Sequence, residues 1–204
     1  AGCSGIFWPA GRLSGEAHAI CNRHADDHIS FPINSTRFVG FDPSRAPFDD
    51  RRVRRAFVMA IDREWWAYEV TRGNSLPGTG GFIPPGMPGH SPGIALPHNP
   101  DQARQLLAEA GYPNGDGFPS ITTQVSFAFA TWWDLLLQRW HTVLGVEIAS
   151  EVMEWGAYID RLRAQLPPIF LMAWEADYPD PDNFLRVAIL KYFEKWKNEE
   201  YYQI

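Results

Sequence analysis

The sequence predicts an α/β fold, a mixed and mostly parallel sheet flanked by helices. Three observations carry this. Residues 120–174 alternate strand and helix signals in the order β-α-β-α-β. The loops between them are short, which suits crossover connections onto a parallel sheet. The helical segments carry apolar stripes at 3.6 spacing rather than all round.

The elements follow in order. Residues 1–34 have no clean period and read as an irregular segment, a tether or remnant. STRFVGF (35–41) is β-rich and reads as a strand. DDRRVRRAFVMAID then reads as a helix capped by Asp49 or Asp50. Val53, Phe57 and Ile61 stack on one face, with Ala56 and Ala60 beside them. DREWWAYEVTR follows as a second helix that stops at Gly73.

Residues 73–98 hold seven Gly and six Pro in 26 residues, which forbids a helix or a central strand. A loop of that length in a small domain is usually functional or disordered. Asn99-Pro100-Asp101 opens a third helix with Ala103, Leu106, Leu107 and Ala110 inward, ended by Gly111. SITTQVSFA (120–128) reads as a strand. TWWDLLLQRWHTVL (131–144) reads as a helix capped by Thr131 and stopped by Gly145. VEIASEVM (146–153) is a strand, EWGAYIDRLRAQL (154–166) a helix, and IFLMAW (169–174) a strand. Trp132 and Trp133 point about 100° apart on their helix. Core packing is the favoured reading, with one of the two left over for a cleft.

Composition excludes several classes. Across 204 residues the formal charge is −6, against the clustered Lys/Arg of a nucleic-acid surface. No run approaches 18 apolar residues, the length of a spanning helix. GxSxG, HExxH, Walker A and GxGxxG signatures are absent from the sequence, and GTGG at 78–81 does not join a strand to a helix. An enzyme is not expected and no cofactor is implied.

Three groups of residues remain as candidates. His18, Cys21, His24 and His28 have the softness to bind zinc or nickel, though their spacing matches no standard module. AGCSG has the form of a lipoprotein signal's tail, which makes Cys3 a candidate acylation site; a chance triplet is the plainer reading. Cys3 and Cys21 are the two cysteines, and the sequence does not say whether they pair. Lastly, Glu175, Asp177, Asp180 and Asp182 crowd into AWEADYPDPDNFL, directly after the last strand. Ligands of open α/β sheets gather outside the carboxyl ends of strands. The cluster could instead serve a small hydrolase with two carboxylates facing one cleft.

PFDDRRVRRAFVMAIDRE (47–64) resembles a motif of the peptide- and nickel-type (family 5) solute-binding proteins of ABC importers. GTGGFIPPGMPG, NPDQARQLLAEAGYPNGDG, LGVEIASEVMEWGAYIDRL and IFLMAWEADYPDPDNFL resemble further family segments, in the right order. The resemblance covers about residues 35–203. It implies the second lobe of a two-lobe, periplasmic-binding-protein-II-like fold that closes on its ligand like a hinge. Residues 35–185 would be the ligand-binding lobe, and 186–204 the return toward a largely missing first lobe.

The implied function is extracytoplasmic: a solute-binding component, or a lobe of one, that binds peptides and passes them to a membrane permease. The periplasmic or outer face of a bacterial membrane is the implied location, with or without a lipid anchor. A nickel- or metal-uptake module is the alternative, and the acidic-cluster hydrolase a weaker one. In peptide-binding relatives the aspartate two residues before the Pro-rich turn holds the ligand's α-ammonium, and Asp177 stands there. Trp174 would wall the same pocket. Some dipeptide-binding relatives place an arginine near the strand tip at 127–131, where this sequence has Phe127, Ala128, Phe129, Ala130 and Thr131. The resemblance therefore favours amine recognition, with Phe127 and Phe129 as apolar contacts. An exposed interlobe face would also allow self-association.

Overall fold

A computed structural model describes residues 33–71 and 73–188, together with Arg23, His24 and Asp26. The chain divides into two units, Ala1–Ile33 and Asn34–Ile204. The described strands all belong to the second unit.

Strand β1 (Ser35–Phe41) leads to helix α1 (Arg51–Met59). Asp50 caps α1, its carboxylate accepting from the Arg52 amide at 2.7 Å. The one-turn α2 (Arg63–Trp65) is capped by Asp62 and runs into a π-turn, Trp66–Val70. Helix α3 (Pro100–Glu109) has Asn99 as N-cap and Pro100 at its first position, as the sequence predicts. Strand β2 (Ile121–Ser126) is followed by a 3-10 turn, Phe127–Phe129, and by α4 (Ala130–Leu144). Gly145 closes α4 at φ 72°, a left-handed conformation that glycine adopts without strain. Strand β3 (Ile148–Met153), α5 (Trp155–Ala164) and β4 (Ile169–Glu175) follow. A π-turn, Asn183–Val187, lies just beyond.

The fold is mixed α/β, as expected, but its strands do not form one mostly parallel sheet. They form two ladders. β2 and β3 pair in parallel over six positions, joined by the α4 crossover. β1 and β4 pair antiparallel over seven positions, from Ser35 opposite Glu175 to Phe41 opposite Ile169. β4 meets β2 through a side chain instead of a ladder: the buried Thr123 hydroxyl donates to the Ile169 carbonyl. The β-α-β-α-β order was visible locally. The partner of β1 was not, because alternation says which face is apolar and nothing about which strand lies alongside.

Two local expectations also change. β2 ends at Ser126 rather than running to residue 128, because the Ser126 hydroxyl turns back on the Ala128 amide. That places the helical entry before Thr131, which is not the cap. Trp132 and Trp133 are both buried, at 7% and 0% exposure.

The β1–β4 ladder has two covered faces. Val39, Phe41, Ile169 and Leu171 join the main core with Val53, Ala56 and Phe57 of α1, Ala103 and Leu107 of α3, and Trp133, Leu136 and Trp140 of α4. Phe41, Phe48, Phe57, Phe118 and Trp140 form a linked aromatic set with centroids 5.0–6.5 Å apart. The Trp140 indole donates to the Phe57 carbonyl at 2.9 Å, so its polar atom is satisfied inside the core. On the opposite face, Phe170 and Met172 pack against Tyr158, Ile159 and Leu162 of α5. The Tyr158 hydroxyl donates to the Leu171 carbonyl at 2.8 Å, and burial pushes its pKa well up.

Gly40 faces Phe170 across the ladder, and a Cβ there would overlap the phenyl ring. Gly40→Ala is expected to cost about 1–3 kcal/mol, the usual range for overpacking. Urea denaturation should show Phe170→Leu, made together with Gly40→Ala, recovering part of that loss.

Beyond β1, Asp42 organises the turn that follows the strand. Its carboxylate accepts from the Ser44 amide and hydroxyl (3.0 and 2.6 Å) and from Arg45 Nε at 2.7 Å. Burial alone would raise its pKa, but the Ser44 and Arg45 hydrogen bonds bring it below the ordinary carboxylate value. A depressed folded pKa stabilises above the unfolded pKa, about 4, and the benefit is lost as pH falls through the folded value. Asp42→Asn should therefore cost about 1–2 kcal/mol at pH 7. The gap between the variant and the parent should narrow as pH falls below the unfolded pKa, about 4, and through the lower folded value, as followed by thermal melts across pH.

Candidate functional site

β4 carries the chain out of the core in a few residues. Trp174 is buried at 4% exposure on the face away from Ala173 and Glu175. It packs with Ile83 and Met87 of the Gly/Pro loop and with Phe184 and Ala188 beyond the turn. The Ala176 amide extends the β1–β4 pairing by one bond, donating to the Asn34 carbonyl at 2.8 Å.

Asn183 sits behind this turn with no exposure. Its side-chain oxygen accepts from the Trp174 indole at 2.7 Å and from the Asp177 amide at 3.2 Å. Asp182 does not cap the π-turn. Its carboxylate accepts from Arg186 Nε at 2.6 Å and from the Tyr178 hydroxyl at 2.8 Å. Those bonds, Arg186 first, lower the Asp182 pKa, and the bond to Asp182 raises that of Tyr178. Asp180 accepts from the Asp182 amide at 2.8 Å, a local turn bond.

The four carboxylates of this stretch thus do different work. Asp180 and Asp182 shape the turn. Glu175 faces Arg37, whose pKa it raises against the larger effect of burial, which brings the guanidinium down to about 10. Asp177 is exposed, and among the described residues its carboxylate has no hydrogen bond or ion pair. A hydrolytic pair needs two carboxylates facing one cleft, and this division of roles does not supply it.

The other expected contacts lie in a second group. Arg37 is paired with Ala173 in the ladder, so its side chain is on the Glu175 face and not the Trp174 face. Its guanidinium lies over Trp132, 4.3 Å from the ring centroid. Phe129 stacks on Trp132 at 6.3 Å, and Trp155 meets Phe129 edge-on at 6.1 Å. Phe127 is 79% exposed, with Val152 and Trp155 also exposed. Trp174 and Asp177 are joined through Asn183; Phe129 belongs with Arg37 and Trp132, while Phe127 stands exposed two residues before it.

Sequence reasoning missed Arg37, Asn183, Trp132 and Trp155 as members of these groups. For Arg37 a signal existed: alternation in STRFVGF puts it on the same face as Val39 and Phe41, a charge pointing inward. Asn183 carried none, since its partners come from the strand and the turn together. Of the metal candidates, His24 is exposed, while His18, Cys21 and His28 lie outside the described residues, as does Cys3. Among the described residues no three His, Cys, Asp or Glu side chains are placed to hold a metal ion.

The fold places the chain with bacterial solute-binding proteins. It is similar to a periplasmic oligopeptide-binding protein of Borrelia burgdorferi, with TM-score 0.76 and 29% identity over 87% of this chain and 37% of that one. It is also similar to a dipeptide-binding protein of Pseudoalteromonas sp. SM9913 solved with Met-Leu, with TM-score 0.75 and 28% identity over 92% and 39%.

The chain belongs to the bacterial extracellular solute-binding proteins, family 5, whose middle region matches residues 13–191. The match begins upstream of residue 35, where the resemblance read from the sequence began. Relatives include a probable di/tripeptide-binding protein 5 of Pseudomonas aeruginosa, 32% identical over 76% of this chain and 29% of the relative. Another is the oligopeptide-binding protein OppA of Bacillus subtilis, 27% identical over 88% and 34%. The chain spans about a third of the length of these relatives.

Proposed function

We propose that this chain is the ligand-binding lobe of a solute-binding component of an ABC importer, working outside the cytoplasmic membrane. Residues 35–185 form the lobe, and 186–204 lead toward the other lobe. The two lobes close on a peptide, which is then passed to a permease. The names of the relatives support peptides as the ligand class.

The carrying observation is Asp177. Asp180 and Asp182 are bonded within the turn and Glu175 acts on Arg37, while the Asp177 carboxylate is exposed and makes no hydrogen bond or ion pair among the described residues. A carboxylate held at a strand end is the natural partner of an α-ammonium, through a charge-assisted bond that strengthens when lobe closure removes water. Trp174 backs the turn that bears it. Phe127, Phe129, Val152 and Trp155 offer an apolar surface for ligand side chains on the same lobe.

The test uses the full-length gene product and calorimetric titration. A peptide with a free amine should bind more tightly than its N-acetylated form. Asp177→Ala should lose about 2–3 kcal/mol, the scale of a hydrogen bond to a charged group, for the free amine alone. Equal affinity for both peptide forms in the parent protein would overturn the role of Asp177.

A further inference from the structure

Asn183 is fully buried at the head of the π-turn, and its side chain bonds to neither a helix end nor a ladder. Two N–H donors converge on its one side-chain oxygen, the Trp174 indole at 2.7 Å and the Asp177 amide at 3.2 Å. Only the carbonyl end of an amide can accept, so these donors fix which way the amide points. The same side chain therefore holds the last buried aromatic of β4 and the backbone of the first unpaired carboxylate beyond it. The Asn183 backbone N–H in turn donates to the Asp180 carbonyl at 3.0 Å, which pins Asn183 to the turn it organises.

We propose that Asn183 is a positioning residue for ligand recognition, setting the direction of the Asp177 carboxylate through its backbone and locking Trp174 behind it. This rests on the reading of Asp177 as the ammonium partner. The chemistry is preorganisation: a carboxylate on a turn held at its own amide loses less freedom when it meets a cation. Asp177 is exposed, so packing alone does not orient it. The bond to Asn183 is the constraint nearest to its side chain.

A merely structural Asn183 would make a different prediction. Its loss would lower stability and weaken every ligand alike. A positioning role predicts selective loss of amine recognition. Asn183→Leu, close in shape but without the acceptor, should lower the affinity of the full-length gene product for a free-amine peptide at least about tenfold. Affinity for the N-acetylated peptide should be nearly unchanged. Asn183→Asp keeps an accepting oxygen and should retain the preference. Asn183→Ser, too short to reach both donors, should behave like Asn183→Leu and serves if the leucine variant does not fold.

The indole N–H resonance of Trp174, identified by its loss in Trp174→Phe, should shift in Asn183→Leu and Asn183→Ser. An unshifted resonance, or equal weakening of both peptide forms, overturns the positioning role. So does a variant that keeps the amine preference of the parent. A parent protein without that preference overturns the reading of Asp177 itself, which separates the two failures.

Discussion

The antiparallel pairing of β1 with β4 is the constraint on which the rest of the fold depends. Seven positions in register decide which side chains of both strands share a face. A slip by one residue would exchange the two faces entirely. In the observed register Val39, Phe41, Ile169 and Leu171 meet the large helical core, and Phe38, Phe170 and Met172 meet α5. Gly40 is what lets this register exist, because the Phe170 ring occupies the space a side chain would need. The same register sends Arg37 and Glu175 to one side of the strand end and Trp174 to the other.

That separation explains why the strand end can be polar without being unstable. Two of the groups leaving the core have specific partners. The Trp174 indole finds Asn183, and the Arg37 guanidinium finds the face of Trp132. A desolvated cation over an aromatic ring retains some of the stabilisation it loses with water. Asp182, Tyr178 and Arg186 close a further set of bonds at the surface. Among the described residues the exposed Asp177 carboxylate makes no bond of its own, which is what the proposed ammonium ligand would use.

What could be read from the sequence was local. Asp50, Asn99 and Gly145 end helices by chemistry contained within a few residues, and each stands where expected. The apolar faces of α1 and α3 followed from spacing alone, and the structure buries Val53, Phe57, Ala103 and Leu107. The failures were non-local or came from competing local bonds. Ser126 turned the chain before Thr131 could cap α4. The pairing of β1 with β4 joins segments far apart in sequence, and nothing in either strand names the other. Asp177 could be singled out by resemblance, but its distinction from three neighbouring carboxylates needed their partners to be seen.

The Gly/Pro loop shows how the same limits bear on function. Its composition excluded regular structure and left open whether it was ordered at all. It is ordered by a few apolar anchors: Ile83 and Met87 are buried against Trp174 and Phe184. His90 Nδ1 lies 2.7 Å from the Ile83 carbonyl, and Gly89 runs in the left-handed region beside Pro181. The loop is therefore packed on the back of the turn that bears Asp177. Glycines supply the conformations and prolines limit the freedom lost on folding, so a long connection can be held by little buried surface. Loop, strand end and acidic turn are thus joined by direct packing. That coupling ties the shape of the proposed ammonium site to a segment whose sequence carries no site residue of its own.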